Sequence, residues 1–555
     1  VLTSDGTDIS WEDASGGGIS GLSGLVEDNS VYLGNDPSGT TSTASYNVAV
    51  GTTALDAITT GDKNTAIGYG SSGVLTTGAS NVSIGYNSFD AAGAGSGGNY
   101  NVAVGADALS TATTAIYCTA IGYEAMKLAT TSDYTVAIGH QAGGGATLTT
   151  NGNVFIGANA GVLATAPLGT VAIGQGCMDS LTEGGYNTAV GAQSLRTITD
   201  ADWNTAIGYN AMGIATTGAN NVGVGYNVGE ALTTGTENVL VGNAGAYKLT
   251  EGTQNVSIGK NTGVGTTASY NVSVGYKAGE DLTTGEGNVF LGYITGEDCT
   301  TGYMNVAVGY SAGKDYLDSL NNVSIGGHAG DANYTGDNNV AIGYGALGAL
   351  TTEDDNVAIG FESLNGNNSQ GNTCVGFRTG KAVTSGDFNL ILGYDAGQSG
   401  SPGGAVTTGS NQVCLGDENI ANAHIQVDWT IASDKRDKTD VSPMNLGLEF
   451  INQLEPVTYR WDKRSKYSKD QSVSPDGTHK EEQLEGGFLA QDVEAIEEQY
   501  GHKLSDKTNL TFHSSEDEKM YGIKYSKFVP MLVKAVQELS AEVEELKKEK
   551  NNGSN

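Results

Sequence analysis

The amino-acid sequence predicts a mainly β protein, a long β-roll or β-solenoid of coils about 17 residues long, followed by an α+β segment that ends in a coiled-coil helix. Three observations predict it. A glycine-ended pentad recurs along residues 29–416, the composition changes near residue 433, and the C-terminal stretch carries a 3-4 apolar repeat.

The repeat dominates. Aligned on their last glycine, the pentads run from "SVYLG" at Gly34 through "NVAVG" at Gly51, "NTAIG" at Gly68 and "NVSIG" at Gly85 to "QVCLG" at Gly416. There are 23 copies, and almost every step is 16 to 18 residues. A period this regular is the signature of a stacked-coil architecture, in which one repeat buries little alone and its neighbours complete the core. Seventeen residues are too few for a helix-turn-helix unit, so each copy reads as one coil of short strands and turns. With neighbouring strands about 4.8 Å apart, 23 coils predict a rod on the order of 110 Å long.

Each slot of the pentad has a physical reading. Slot four is always Ile, Val or Leu and slot two is usually Val or Thr, so both point to one face of a strand. Slot three is mostly Ala or Ser, which predicts something close against the opposite face. Slot five is Gly, as a tight corner with positive φ or close backbone approach requires. Slot one is Asn in 18 of the 23 copies, a set that can hydrogen-bond coil to coil as a ladder. Three residues past each glycine sits another small residue, as at Ala54, Ser71, Ser88, Ala108 and Ala125, predicted to line a thin core. Slot six is often aromatic (Tyr69, Tyr86, Tyr209, Tyr226, Tyr276, Tyr293), which reads either as stacking along the solenoid or as a glycan platform. Cys177, Cys374 and Cys414 replace Ala or Ser and act as small hydrophobes.

Composition narrows the function classes. Net charge is −35, with 9 basic and 38 acidic side chains in residues 1–432 against 18 and 24 in residues 433–555. Such acidity repels nucleic acid and anionic lipid and keeps a long particle soluble. No apolar run is long enough to insert in a membrane. The chain has no secretory-signal pattern and begins with Val1, which reads as a fragment or processed form. Five scattered Cys make no disulfide framework, and no Cys/His spacing or acidic turn predicts a metal or other cofactor.

The predicted organisation is a connector (residues 1–28), the repeat shaft (29–416), a linker (417–432) and a distinct C-terminal domain (433–555). In that last domain "NLGLEFINQLEPVTYRW" predicts a helix stopped before Pro456 and then a strand. "SKYSKDQSVSPDGTHKEEQ" is a polar loop, and "EGGFLAQDVEAIEEQYG" runs from a short strand into a helix. The final segment is a long helix in which Val529, Leu532, Val536, Leu539, Val543 and Leu546 form a coiled-coil seam. Val at a and Leu at d favour a dimer in a free peptide, so the attached shaft is expected to set the oligomer. The alternative is a helix packed on its own domain.

The repeat resembles the head domain of trimeric autotransporter adhesins, with its "NSVAIG"-like left-handed parallel β-roll, and more closely the lengthened version in phage tail fibres. The resemblance covers residues 29–416 and implies a homotrimer, whose neighbouring backbone would account for the small slot-three residues. Residues 1–18 are similar to tail-fibre connector segments.

The C-terminal pattern Ser433-Asp434-x-Arg436-x-Lys438, then "LEPVTYRW", "GFLAQDVE" and a terminal coiled-coil helix, resembles the intramolecular chaperone of endosialidase-type phage tailspikes, a self-cleaving serine peptidase. That resemblance implies a domain that trimerises, nucleates the β-structure before it and cuts itself off between Ala432 and Ser433. It makes Ser433 the nucleophile and Lys438 the base, with Asp434 and Arg436 supporting the loop or the oxyanion. A serine hydroxyl needs a base within hydrogen-bond reach, and a lysine serves when neighbouring positive charge or burial favours its neutral form. Lys435 and Arg436 stand in sequence to do that. His479, His502 and His513 are alternative bases in no matching motif.

The function expected is thus the structural and adhesive shaft of a phage tail fibre or spike, assembled in the host cytoplasm and carried on the virion. Its partners would be its own copies, a host-surface glycan or outer-surface protein, and other tail proteins through the N-terminus. Two other classes compete. A bacterial trimeric surface adhesin would need a membrane-anchoring β-barrel, which nothing after residue 525 resembles. A glycan depolymerase would need paired carboxylates across a cleft, which a regular roll does not offer.

Overall fold

The computed structural model describes residues 2–4, 9–11, 24–34, 37–91, 98–366, 369–427, 429–468, 471–515 and 520–552. It divides into two compact units, Val1–Ser319 and Leu320–Asn555. The first opens with an antiparallel pair, Leu2–Ser4 against Ile9–Trp11. Gly24–Glu27 then pairs antiparallel with Ser30–Leu33, the first strand of the repeat.

From there each pentad contributes one three-residue strand, and successive strands pair in parallel without slippage. Val48 lies opposite Thr65, Thr65 opposite Val82 and Val82 opposite Val102. This continues to Val306–Val308 in the first unit, and from Val323–Ile325 to Val413–Leu415 in the second. The register holds because each pentad repeats the same side-chain pattern, so a one-residue slip would turn the buried residue outward.

Slot five makes the corner. Its glycines sit at φ between about +130° and +143° over most of the series, as at Gly68 (+134°) and Gly225 (+143°). In addition, a Cβ on Gly68 would lie 2.4 Å from the carbonyl oxygen of Gly85. Both reasons advanced for glycine therefore operate at once. After the corner the chain turns through further left-handed residues, such as Thr53 (φ +59°) and Leu55 (φ +51°), which fold Ala54, Leu55 and Ile58 into the interior.

The interior is thin and lined by small residues. Ala54, Ser71, Ser88, Ala108 and Ala125 are all buried. Slot three is buried as well, at Ala49, Ala66, Ser83 and Ala103. This corrects the sequence reading, in which those small residues made room for a neighbouring subunit. They face the inside of their own coil: Ser83 Oγ hydrogen-bonds to Ser72 Oγ at 2.7 Å and to Ser71 Oγ at 2.8 Å. Where slot three is large, glycines of adjacent coils give way. Phe155 lies against Gly143 and Gly161, and Phe290 against Gly279 and Gly296. Leu109 and Leu195 add fully buried side chains, each worth roughly 2 kcal/mol of apolar burial. Slots two and four point outward, leaving a stripe of half-exposed aliphatics that includes Val48, Val50, Ile67 and Ile84.

The Asn ladder is real and buried. Asn64 Nδ2 donates to Asn47 Oδ1 at 3.2 Å and to Gly78 O at 2.9 Å, while Asn47 Oδ1 also accepts from Asn64 N at 2.8 Å. The pattern repeats from Asn187 to Asn204, Asn221, Asn238, Asn255 and Asn271. From Asn204 to Asn271 the rungs engage both the amide donors and the carbonyl acceptor of a side chain that would otherwise be costly to bury.

Past the last strand, the described residues of 417–434 form neither strand nor helix. The C-terminal segment, within the second unit, is built on three helices: α1 (Leu448–Gln453), α2 (Ala490–Gln499) and α3 (Phe528–Asn552). Strand Val457–Tyr459 follows α1, as Pro456 predicts, and pairs antiparallel with Glu485–Gly487, which leads into α2. A hairpin, Phe512–Ser514 with Tyr521–Ile523, precedes α3. Leu446, Phe450, Leu454, Val493, Phe528 and Met531 form the core. Pro530 is accommodated in the first turn of α3, where its missing N–H costs nothing.

Candidate functional site

The stretch that breaks the acidic monotony folds into one tight turn. Asp434 has extended backbone (φ −67°, ψ 132°), Lys435–Asp437 make a single 3-10 turn, and Lys438 returns to extended backbone (φ −116°, ψ 132°). Two backbone bonds close it, Asp437 N to Asp434 O and Lys438 N to Lys435 O, both 3.3 Å. This geometry turns the chain back on itself between Ser433 and Lys438. Lys438 Nζ donates to Ser433 Oγ at 2.5 Å.

The two remaining candidates are joined to each other. Asp434 Oδ1 accepts from Arg436 N at 2.9 Å, and its two carboxylate oxygens take Arg436 Nε and Nη2 at 3.1 and 2.6 Å. The guanidinium holds the Asp434 carboxyl below its ordinary range, and the carboxylate in turn raises Arg436. Arg436 is therefore charge-compensated, so of the two cations expected to act on Lys438 only Lys435 lacks a carboxylate partner within this turn. The whole turn is exposed, as is Ala432 beside it.

The three histidines lie elsewhere. His479 packs edge-on to Tyr467, with centroids 4.7 Å apart. His502 bonds Asn445 Oδ1 at 2.8 Å through Nε2. His513 sits in the hairpin, where burial and Lys524 lower its pKa. None of these contacts involves Ser433.

On α3, Phe528, Met531 and Ala535 enter the core. The predicted seam takes the neighbouring face. Val529, Leu532, Val536, Leu539, Val543 and Leu546 are all exposed, between 40% and 64%. The helix is thus packed on its own domain through one face and leaves the seam open on another.

Slot-six aromatics stack. Tyr276, Tyr293 and Tyr310 follow one another at 5.2 and 5.1 Å, and Tyr344, Phe361, Phe377 and Tyr394 at 5.5, 5.1 and 5.2 Å. A second ladder, which the sequence reading missed, occupies the position before slot one. Tyr100, Tyr117 and Tyr134 stack at 4.9 and 5.1 Å, all with φ between +54° and +60°. Near-parallel rings spend their faces on one another, whereas a sugar stacking on an aromatic needs a free face. The reading missed Glu497 too. It is buried in α2, and its Oε1 accepts from Leu510 N and Thr511 N, both at 3.0 Å.

Among the described residues no cluster of His, Cys, Asp and Glu could hold a metal ion, and no helix is long and apolar enough to cross a membrane. Residues 433–502 match the family model described as chaperone of endosialidase. The match begins at the serine of the turn. Comparisons with curated proteins and with solved structures gave no match. A mainly β solenoid followed by a chaperone-of-endosialidase segment fits a tail-fibre-like or spike-like protein.

Proposed function

We propose that this chain is the shaft of a phage tail fibre or spike, trimerised by its C-terminal chaperone segment, which then cuts itself off between Ala432 and Ser433. The observation that carries the reading is the 2.5 Å contact of Lys438 Nζ with Ser433 Oγ, at the first residue of the chaperone match. With the lysine neutral, the same contact carries the serine proton to Nζ. The freed Oγ attacks the Ala432 carbonyl carbon. The bond to Ser433 N breaks as Lys438 returns the proton to that nitrogen, leaving an ester that water hydrolyses to the Ala432 carboxylate and the free hydroxyl. Nucleophile and carbonyl belong to adjacent residues, so proximity replaces a substrate pocket.

The trimer is supported by two open apolar surfaces, the aliphatic stripe of slots two and four and the seam of α3. A shaft of parallel coils depends on non-local pairing, which is slow and sensitive to register. A C-terminal clamp sets the register of three chains, and its removal afterwards makes the assembled state kinetically durable. On this reading the shaft lies on the virion, binds a host-surface glycan or protein, and joins other tail proteins through its N-terminus.

The test is a denaturing gel of the purified chain beside Ser433→Ala. The wild type is expected to yield a 123-residue fragment (433–555) and the remaining shaft, the variant full-length chain only. Full-length product from both overturns the autocleavage.

A further inference from the structure

We propose that Asp434 is the positioning residue of the Ser433–Lys438 pair, an inference that rests on the autocleavage reading above. A 3-10 turn of three residues has poor hydrogen-bond geometry and little persistence of its own, and both backbone bonds of this one are long at 3.3 Å. Yet it alone brings Lys438 back to Ser433. The Asp434 carboxylate supplies what the backbone lacks. As N-cap it takes the Arg436 amide at 2.9 Å, and it grips the Arg436 guanidinium through Nε and Nη2. The cap fixes the backbone of the turn, and the grip holds the side chain of its middle residue away from the dyad. All of the hydrogen bonds assigned to Asp434's side chain go to Arg436. It therefore acts on the reaction through geometry.

Asn caps as well as Asp, whereas Ala does not. This separates the cap from the charge. The experiment is cell-free synthesis of the full chain as a pulse and chase, following the first-order appearance of the 123-residue fragment. Asp434→Ala is expected to cut about fivefold more slowly than wild type, the cost of a lost cap. Asp434→Asn is expected to recover at least half of the wild-type rate. Rates are compared on the high-pH plateau of each variant, so that the Arg436 charge left uncompensated by the lost carboxylate does not enter the comparison. The side chains concerned lie in an exposed turn, so the variants retain the fold, which light scattering checks. Asp434→Ala at the wild-type plateau rate, or Asp434→Asn as slow as Asp434→Ala, each overturns this inference and leaves the autocleavage standing. An uncut wild type overturns the autocleavage itself.

Discussion

A β-carbon placed on Gly225 would stand 1.9 Å from the carbonyl oxygen of Gly242, the equivalent corner of the next coil. No rotamer change relieves that contact, because the carbonyl is backbone and the Cβ position is fixed by the backbone of residue 225, and Gly225 also sits at φ +143°. Gly225→Ala is expected to destabilise the shaft by about 3 kcal/mol or more. A thermal-unfolding scan of wild type and variant checks it, and an unchanged midpoint would contradict the stacked-corner geometry.

The Asn ladder makes a separate prediction. Asn238 Nδ2 donates to Asn221 Oδ1 and Gly252 O, each at 3.0 Å, and its own Oδ1 accepts from Asn255 N and Nδ2 at 3.0 Å. Asn238→Ala removes the donors and strands the Asn255 amide and the Gly252 carbonyl in a dry interior. The expected loss is about 2–4 kcal/mol. Asn238→Asp keeps an acceptor but buries a charge, so it is expected to be worse than Ala. Chemical denaturation of the three proteins ranks them, and an Asp variant as stable as wild type would sink the claim.

Why some of this was legible and some not follows from what repeats. The corner glycines, the Asn ladder and the small core residues recur in nearly every copy, so a single chain serves as its own alignment. The direction of slot three was misread because two faces of a strand are equivalent to periodicity. Slots two and four were read as one face and slot three as the other, facing a neighbouring subunit, but the coil is thin and Ala66 and Ser83 go inside it. The second aromatic ladder escaped notice because only some copies carry a ring there, and Tyr100 at φ +60° is a conformation that bulky residues rarely adopt. Ser433 and Lys438 stood out only through the resemblance of their motif, since spacing alone reads as a solvated loop, and the Asp434–Arg436 pairing needed the turn. Glu497 looked like one acid among many in α2, because nothing in local sequence says that its carboxylate caps the backbone at Leu510 and Thr511.

That carboxylate can be tested directly. Glu497→Ala leaves two amide N–H groups without their acceptor, and Thr511 is buried. The C-terminal segment is expected to lose about 2–4 kcal/mol, read as faster hydrogen exchange at residues 510–511. Unchanged exchange would remove Glu497 from the structural account.

The thiols report on the core of the shaft. Burial pushes Cys299 and Cys374 up to about 12 and Cys118 and Cys177 up to about 11. In the unfolded chain a thiol ionises near pH 8.5. Above that pH the unfolded state sheds protons that the fold retains, so this contribution to stability is complete below about pH 8.5 and falls as pH rises toward the folded values. The unfolding midpoint is expected to drop between pH 8 and pH 10.5, and to drop less in Cys299→Ala measured against its own value at pH 8. All five thiols are expected to resist a thiol reagent until the chain is denatured. Prompt reaction in the native protein would contradict the burial.

The seam of α3 decides the oligomer question. A helix of 25 residues that buries only Phe528, Met531 and Ala535 leaves Val536 and Leu539 at 62% and 48% exposure, side by side with four more apolar residues at 3-4 spacing. Isolated exposed apolar residues need no explanation, but a continuous stripe at this period is what a coiled coil covers. The double substitution Val536→Asp and Leu539→Asp puts charge into that stripe without touching the three core residues. It is expected to leave the helical signal of the C-terminal segment intact while abolishing association. Light scattering reads this directly: the Ser433→Ala chain, kept whole, is expected at three times 56.7 kDa, and the same chain with both aspartates at 56.7 kDa. A dimer in the first sample would mean that Val at a and Leu at d set the oligomer, contrary to the role given to the shaft. A trimer surviving both substitutions would place the clamp on another surface, with the aliphatic stripe of the shaft the next to be tested.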